Sequence, residues 1–302
     1  MIVYFKKVSN LIMILGGVLG GIAAWFYLHG ELLSTEHPTN VFIFALWIFA
    51  GVILFRVIAS VYATRKLKEL QAELYKDCKP QEFLDHFEAL NAGIPHNLAE
   101  YAHGQNNISF AREALGDFDG AMDAIKDLKP QELRIHALTT TALIVNQKAN
   151  LQILRKDFEA ASFQIEDLYR IKEVAEKRAK MLADNLGQVI RLQEARIAAA
   201  KGDENTDIAY LKEEEKLSTN LIHKKEIALE LAEYYLRTGQ KENGVKKLKA
   251  VLENERGLYP ETRARELLEH PEKYYVYQEV VRDDTGKEIG QQDADGFVVI
   301  RE

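Results

Sequence analysis

Two long apolar runs in the first 62 residues constrain this chain more than any other feature. Leu11–Leu28 holds 18 residues without a charge, and Val41–Tyr62 is interrupted only by Arg56. At 1.5 Å rise per residue, each run as a helix is about long enough to cross the roughly 30 Å hydrocarbon layer of a bilayer. The expectation is a transmembrane hairpin over residues 1–63, with spans at about 9–28 and 41–62. The connector His29–Asn40 carries only Glu31 and Glu36, whereas Lys6 and Lys7 precede the first span and Arg65, Lys66 and Lys68 follow the second. Lys and Arg flanking a span stay on the cytoplasmic side. The expected address is therefore the plasma (inner) membrane, multi-pass, with both termini cytoplasmic. Arg56 lies close enough to that side to snorkel. A cleaved signal peptide is the alternative for the first run, but its small-x-small sites fall inside an apolar stretch longer than most signal cores. The second run would then stop transfer and leave the body on the same side.

The first span carries Gly16, Gly17, Gly20 and Gly21, with Ala24 one turn further on. Small residues at this spacing form a helix face that a second helix can approach closely. The nearest candidate is the second span, tied to the first by only twelve connector residues. A contact between copies of the chain is the other use for that face, which leaves room for an oligomer.

Beyond residue 63 the composition changes. Lys6, Lys7, Arg56 and Arg65 outnumber Glu31 and Glu36, so residues 1–65 carry +2; with −7 for the whole chain, the remainder carries −9. A mean hydropathy of −0.23 therefore averages two unlike parts. An acidic body lacks the basic face that displaces counterions from phosphates, which excludes a nucleic-acid partner by this criterion. The single Cys78 forms no intramolecular disulfide, in keeping with a reducing compartment.

The body reads as helical in period, and it contains an internal repeat. Asp117–Leu128 aligns with Asp157–Leu168, identical at six of twelve positions and 40 residues apart. In both copies Asp-Phe opens a helix, and a small residue, Ala121 or Ala161, sits one turn before Ile125 or Ile165. A further block carries Ala228, Leu231, Ala232 and Tyr235, then Gly239, Gly244, Leu248 and Val251; a looser copy turns at Gly202-Asp203 and restarts at Ile208-Ala209-Tyr210-Leu211. On these residues the stretch 97–270 resembles the tetratricopeptide repeat, with Arg112 where Tyr is usual, Gly244 where Ala is usual, and spacings of 40, 48 and 35 between Ala121, Ala161, Ala209 and Gly244. The resemblance implies an all-α fold: an α-solenoid of stacked helix pairs behind the transmembrane hairpin, in which no single pair buries its own apolar face. Pro80, Pro130 and Pro260 mark helix starts. Residues 64–96 are expected to hold juxtamembrane helices, with 66–76 continuing the second span and a short cap at about Gln81–Asn91. Residues 271–302 are rich in strand formers broken by turns at Asp283–Gly286 and Asp293–Gly296, which predicts a short β-hairpin or meander.

No catalytic constellation emerges. Glu100-x-x-His103 has the spacing of carboxylate metal bundles but lacks a second such pair. Cys78, His86, His96 and His103 do not follow zinc-ligand spacing, and Asp293–Gly296 lacks the later ligands of a calcium loop. Neither a metal nor a cofactor is expected, and the chain reads as a non-enzyme. The resemblance implies instead a groove lined by the first helix of each pair, which places Asn106, Asn107, Asn146, Asn150 and Arg196 along it. Their amides could hold a peptide backbone. Glu113, Glu226, Glu230 and Glu233 fall where a carboxylate clamp would need Lys, so a basic or neutral segment suits the groove better. The functional expectation is a membrane-anchored, cytoplasm-facing adaptor or scaffold that binds a protein or peptide at the membrane surface. The alternatives are a structural subunit of a membrane complex assembled through the glycine face, and an enzyme with an unrecognised site.

Overall fold

The structure is a computed structural model that describes residues 6–27, 39–128, 137–203, 206–270, 279–282, 288–292 and 298–300. Helix dominates it, with twelve helices among the described residues and two long apolar ones first. The chain divides into two compact units, residues 1–72 with 89–94, and residues 73–88 with 95–302.

The first unit is built on α1 (Lys6–Tyr27) and the greater part of α2 (Thr39–Tyr75). Both are long and apolar enough to cross a membrane. Their large side chains point outward; Phe26, Phe42 and Phe49 are all more than 60% exposed. What the helices bury against one another is small. A Cβ added to Gly16 would lie 2.7 Å from the Gly51 carbonyl oxygen, and one on Gly20 would lie 2.6 Å from that of Trp47. Gly17 faces Val52 and Gly21 faces Phe44 and Ile48 at ordinary contact distance, while Ala24 is fully buried. The backbones touch because three glycines, Gly16, Gly20 and Gly51, carry no side chain there.

The second unit begins with the end of α2 and most of α3 (Pro80–Ala92), where Phe83 and Phe87 stack, fully buried, at 4.8 Å. Four helix pairs follow: α4 (Ala99–Ala114) with α5 (Phe118–Ile125), α6 (Ala137–Leu154) with α7 (Phe158–Glu176), α8 (Lys180–Lys201) with α9 (Ile208–Leu217), and α10 (Leu221–Arg237) with α11 (Lys241–Val251); α12 (Tyr259–Glu269) stands last. Each first helix also packs on the next first helix, α4 on α6, α6 on α8, α8 on α10 and α10 on α12. In addition α12 returns to α4, and its Tyr259 ring meets Phe118, at the start of α5, edge-on at 4.7 Å. The four first helices and α12 thus line an interior, to which α9 adds Tyr210 and Glu214.

The sequence repeat has a local cause. Asp117, Asp157 and Asp207 each cap a second helix, accepting the backbone N–H of Gly120, Ala160 and Tyr210. Such a cap is worth about 1 kcal/mol. One or more residues ahead of each second helix, the chain passes through the left-handed region at Gly116, Lys156, Gly202 and Gly239. The following helix then packs through a small residue: Ala121 and Ala161 are fully buried, and a Cβ on Gly244 would overlap Leu236. The third pair departs from this expectation. Ala209 is exposed, and Tyr210 and Leu211 are buried in its place against Ile227, Leu231 and Tyr235. The longer turn after Gly202 rotates α9, so that a tyrosine rather than a small residue meets its neighbours.

Pro80 and Pro260 stand in the first turns of α3 and α12, where the missing N–H leaves no bond unmade. Pro130 lies outside the described residues. Three short strands follow α12, β1 (Glu279–Arg282), β2 (Glu288–Gln292) and β3 (Val298–Ile300), paired antiparallel in that order. The turns expected at Asp283–Gly286 and Asp293–Gly296 lie outside the described residues.

Candidate binding cavity

The interior of the second unit holds two cavities, of about 410 and 270 Å³. Their walls include the inward stripes of the first helices: Asn106 and Phe110 on α4, Asn146, Gln147 and Asn150 on α6, Gln193 and Arg196 on α8, Glu226, Glu230 and Glu233 on α10.

Arg196, only 1% exposed, organises the boundary between the cavities. Its Nε donates to both carboxylate oxygens of Glu230 at 2.9 Å, and Nη2 donates to Oε1 at 2.6 Å. Its Nη1 donates to Gln193 Oε1 at 3.1 Å and to Asn150 Oδ1. Gln193 in turn donates to Asn146 Oδ1 at 2.8 Å. Beside this network lies Glu113, whose carboxylate accepts from Gln147 at 2.5 Å and from Asn150. Burial pushes the Glu113 carboxyl well above the usual range, and Glu226 beside it adds to the shift, outweighing the pull of Arg196 and Gln147.

Four of the five residues placed on a groove from the sequence, Asn106, Asn146, Asn150 and Arg196, line the larger cavity. Asn107 does not. It is buried and accepts a hydrogen bond from the Tyr75 hydroxyl at 2.9 Å, because one residue along a helix is a rotation of 100°. Burial pushes the Tyr75 phenol up to about 12, and its ring stacks on Phe110 at 5.5 Å. Leu143, Asn185 and Gln188 form an exposed rim, while Asn150, Arg196 and Glu226 form a buried floor.

The smaller cavity is ionic. Glu233 pairs with Lys156 Nζ and Arg263 Nε, both at 3.3 Å. Burial alone would raise the Glu233 carboxyl; Lys156, Arg263 and Arg237 outweigh it and hold the group at about 2. Lys156 adopts φ +61° without being glycine, at the turn position that Gly116, Gly202 and Gly239 fill elsewhere. That conformation costs roughly 1–2 kcal/mol for an L-residue.

Reading from the sequence missed Tyr75, Gln147, Gln193, Lys156 and Arg263 as cavity residues. For Gln147 and Gln193 a signal was present, since each is one or three residues from a residue already placed. Lys156 is visible only once the turn is aligned with its glycine equivalents. Among the described residues no group of three or more His, Cys, Asp or Glu side chains is placed to hold a metal ion. No protein family, characterised protein or solved structure shows significant similarity to this chain.

Proposed function

We propose that the chain is a membrane-anchored adaptor in which a tetratricopeptide-like array holds a protein or peptide segment in the cavity between α4, α6, α8 and α10. The observation that carries this reading is the composition of that cavity. Asn106, Asn146, Gln147, Asn150 and Gln193 turn side-chain amides to a space open at the rim, and amides both donate to and accept from an extended backbone. An interior kept only for stability would be filled with apolar side chains, because buried polar networks seldom add net stability. In this reading α1 and α2 cross the plasma membrane, the short connector lies outside, and the array and the β-paired tail face the cytoplasm. Tethering confines the cavity to the membrane surface and raises its effective concentration toward partners there.

The alternative reading, assembly of a membrane complex through the glycine face of α1, is disfavoured because Gly16 and Gly20 already pack on Gly51, Phe55 and Trp47. A photo-crosslinking side chain at Leu143 or Gln188 tests the adaptor reading in intact cells. The expected result is a discrete adduct to a protein from these rim positions and none from the outward Met181. Equal labelling at all three positions, or none, refutes it. Thiol-reactive labelling of a cysteine placed in the connector tests the orientation; protection from an impermeant reagent outside the cell would overturn it.

A further inference from the structure

Two acceptors in the larger cavity have no donor. Asn106 Oδ1 on α4 and Glu226 Oε2 on α10 are buried, line the same space, and take no hydrogen bond. The residues themselves are 9% and 4% exposed. His223 Nδ1 stands 3.6 Å from Glu226 Oε2, outside hydrogen-bond reach. Leaving one such buried group unmet costs roughly 1–3 kcal/mol, and more when it is charged.

The charges of the cavity point the same way. Glu226 lines this cavity with Glu113 buried beside it, and Arg196 gives Nε and Nη2 to Glu230 alone. Its remaining donor, Nη1, is taken by Asn150 and Gln193. The cavity lining contains no lysine and no second arginine. The other titratable groups facing it are Tyr75 from α2, Tyr210 and Glu214 from α9, and His223 from α10; of these, Glu214 adds to the negative excess. The aromatic rings of Tyr75, Phe110 and Tyr210 add apolar walls suited to a methylene chain leading inward from the rim.

We infer that this cavity is a receptor for a primary ammonium group at the end of a flexible chain, with Glu226 Oε2 and Asn106 Oδ1 as its acceptors. An ammonium presents three donors on one small centre and suits two acceptors in one cavity; a planar guanidinium would bring five donors and leave several unmet. Two sources share this chemistry, the lysine side chain of a partner segment and a free aliphatic diamine. The lysine source rests on the adaptor reading, whereas the ammonium site does not.

The experiment measures binding to the full chain in nanodiscs. The probes are an end-blocked fluorescent peptide with one lysine, the same peptide with that lysine acetylated, and 1,5-diaminopentane as competitor. The lysine peptide is expected to bind at least tenfold more tightly than its acetylated form. Glu226→Gln is expected to remove at least tenfold of that affinity, and Asn106→Asp to increase it at least threefold. Should Glu226→Gln melt below the parent protein, Asn106→Asp, which keeps the accepting oxygen and puts a second, charged acceptor in place of the NH2, decides alone. Binding of the diamine but not the peptide, with the same response to both variants, supports the ammonium site and assigns it to a free amine. Equal affinity for the lysine and acetyl-lysine peptides, indifference to both variants, or no binding of either amine at about 10 mM overturns the inference. If rim crosslinks to a protein persist in that last case, the adaptor reading stands and only the ammonium site is lost.

Discussion

Lys225 is the buried cation on which the end of the array depends, and replacing it with Met should be costly. The residue is 4% exposed, and its Nζ donates to the Val251 and Glu253 carbonyls at 2.8 Å and to Glu261 Oε1 at 2.5 Å. It thereby satisfies carbonyls at the C-terminus of α11 and anchors the first turn of α12. Glu261 also accepts the backbone N–H groups of Arg256 and Leu258. Breaking a buried ion pair by removing one partner costs about 3–5 kcal/mol. Because the Glu261 carboxylate keeps its backbone donors, the lower end applies, about 3 kcal/mol. For a cooperative unit of 150–250 residues that lowers Tm by roughly 6–12 °C. The assay is thermal unfolding of the full chain in detergent by circular dichroism, with hydrogen exchange to localise the loss to α11 and α12. The pH dependence supplies an internal check. Burial alone would raise the Glu261 carboxyl, but Lys225 and the two amides outweigh it and the group titrates below its ordinary range. Its contribution is therefore present above the ordinary carboxylate pKa and is lost as pH falls through the lower, folded value. Lys225→Met should flatten that acid limb as well as lower Tm at neutral pH. A fall of less than about 3 °C, roughly 1 kcal/mol on the same scale, would refute the reasoning.

Three further outcomes follow from the same geometry. Glu233, held at about 2 by Lys156, Arg263 and Arg237, contributes roughly 3 kcal/mol above pH 4.5 that disappears on acidification, so Glu233→Gln should melt lower at pH 7 and lose less than the parent between pH 4.5 and 2. Glu113→Gln and Glu226→Gln should diverge in thermal melts. The first puts an NH2 in place of one of the two oxygens that accept from Gln147 and Asn150, setting donor against donor at a cost of about 1–3 kcal/mol; the second removes a charge beside Glu113 and leaves Tm unchanged or raised. In the first unit, Gly17→Cys with Val52→Cys in a Cys78→Ser background should form a disulfide in membranes, since a Cβ on Gly17 lies 3.4 Å from Val52. Adding Gly51→Ile, which would collide with the α1 backbone at Gly16, should abolish it on non-reducing gels.

How far the sequence could be read depended on whether a feature was local. Apolar length needs no tertiary knowledge, so α1 and α2 were visible from their composition. The Asp-Phe repeat was visible because a helix cap is set by neighbours in sequence, Asp117 with Gly120 and Asp157 with Ala160. Register across helices was less accessible. Ala209 looked equivalent to Ala121 and Ala161, yet it is exposed because the turn after Gly202 is longer and rotates α9. Asn106 and Asn107 illustrate the same limit: adjacent in sequence, one lines the cavity and the other faces Tyr75. Gly51 stood alone within the second span, and only its approach to Gly16 and Gly20 shows why a side chain is missing there. Ion pairs such as Lys156–Glu233, separated by 77 residues, have no local signature at all.

The two buried ionic clusters on α10 differ in a way that separates structure from binding. At Lys225 the ammonium meets three carbonyls and a carboxylate, and the Glu261 carboxylate meets two backbone amides besides. Such a closed cluster fixes α11 against α12 and has little left with which to attract a ligand. One residue along, Glu226 turns into the larger cavity with an oxygen unmet, and an Asn106 oxygen of the same cavity is in the same condition. A half-satisfied polar network is less stable than either a complete one or an apolar core. The strained left-handed Lys156 shows the same preference, since a glycine at that turn would relieve the backbone but remove the cation from Glu233. Stability is thus given up on the faces that line the interior, while the faces between helix pairs keep the apolar packing of Leu168, Leu211 and Leu248. The outer layers are packed through apolar contacts, and the inner layer keeps acceptors that its own side chains leave unmet.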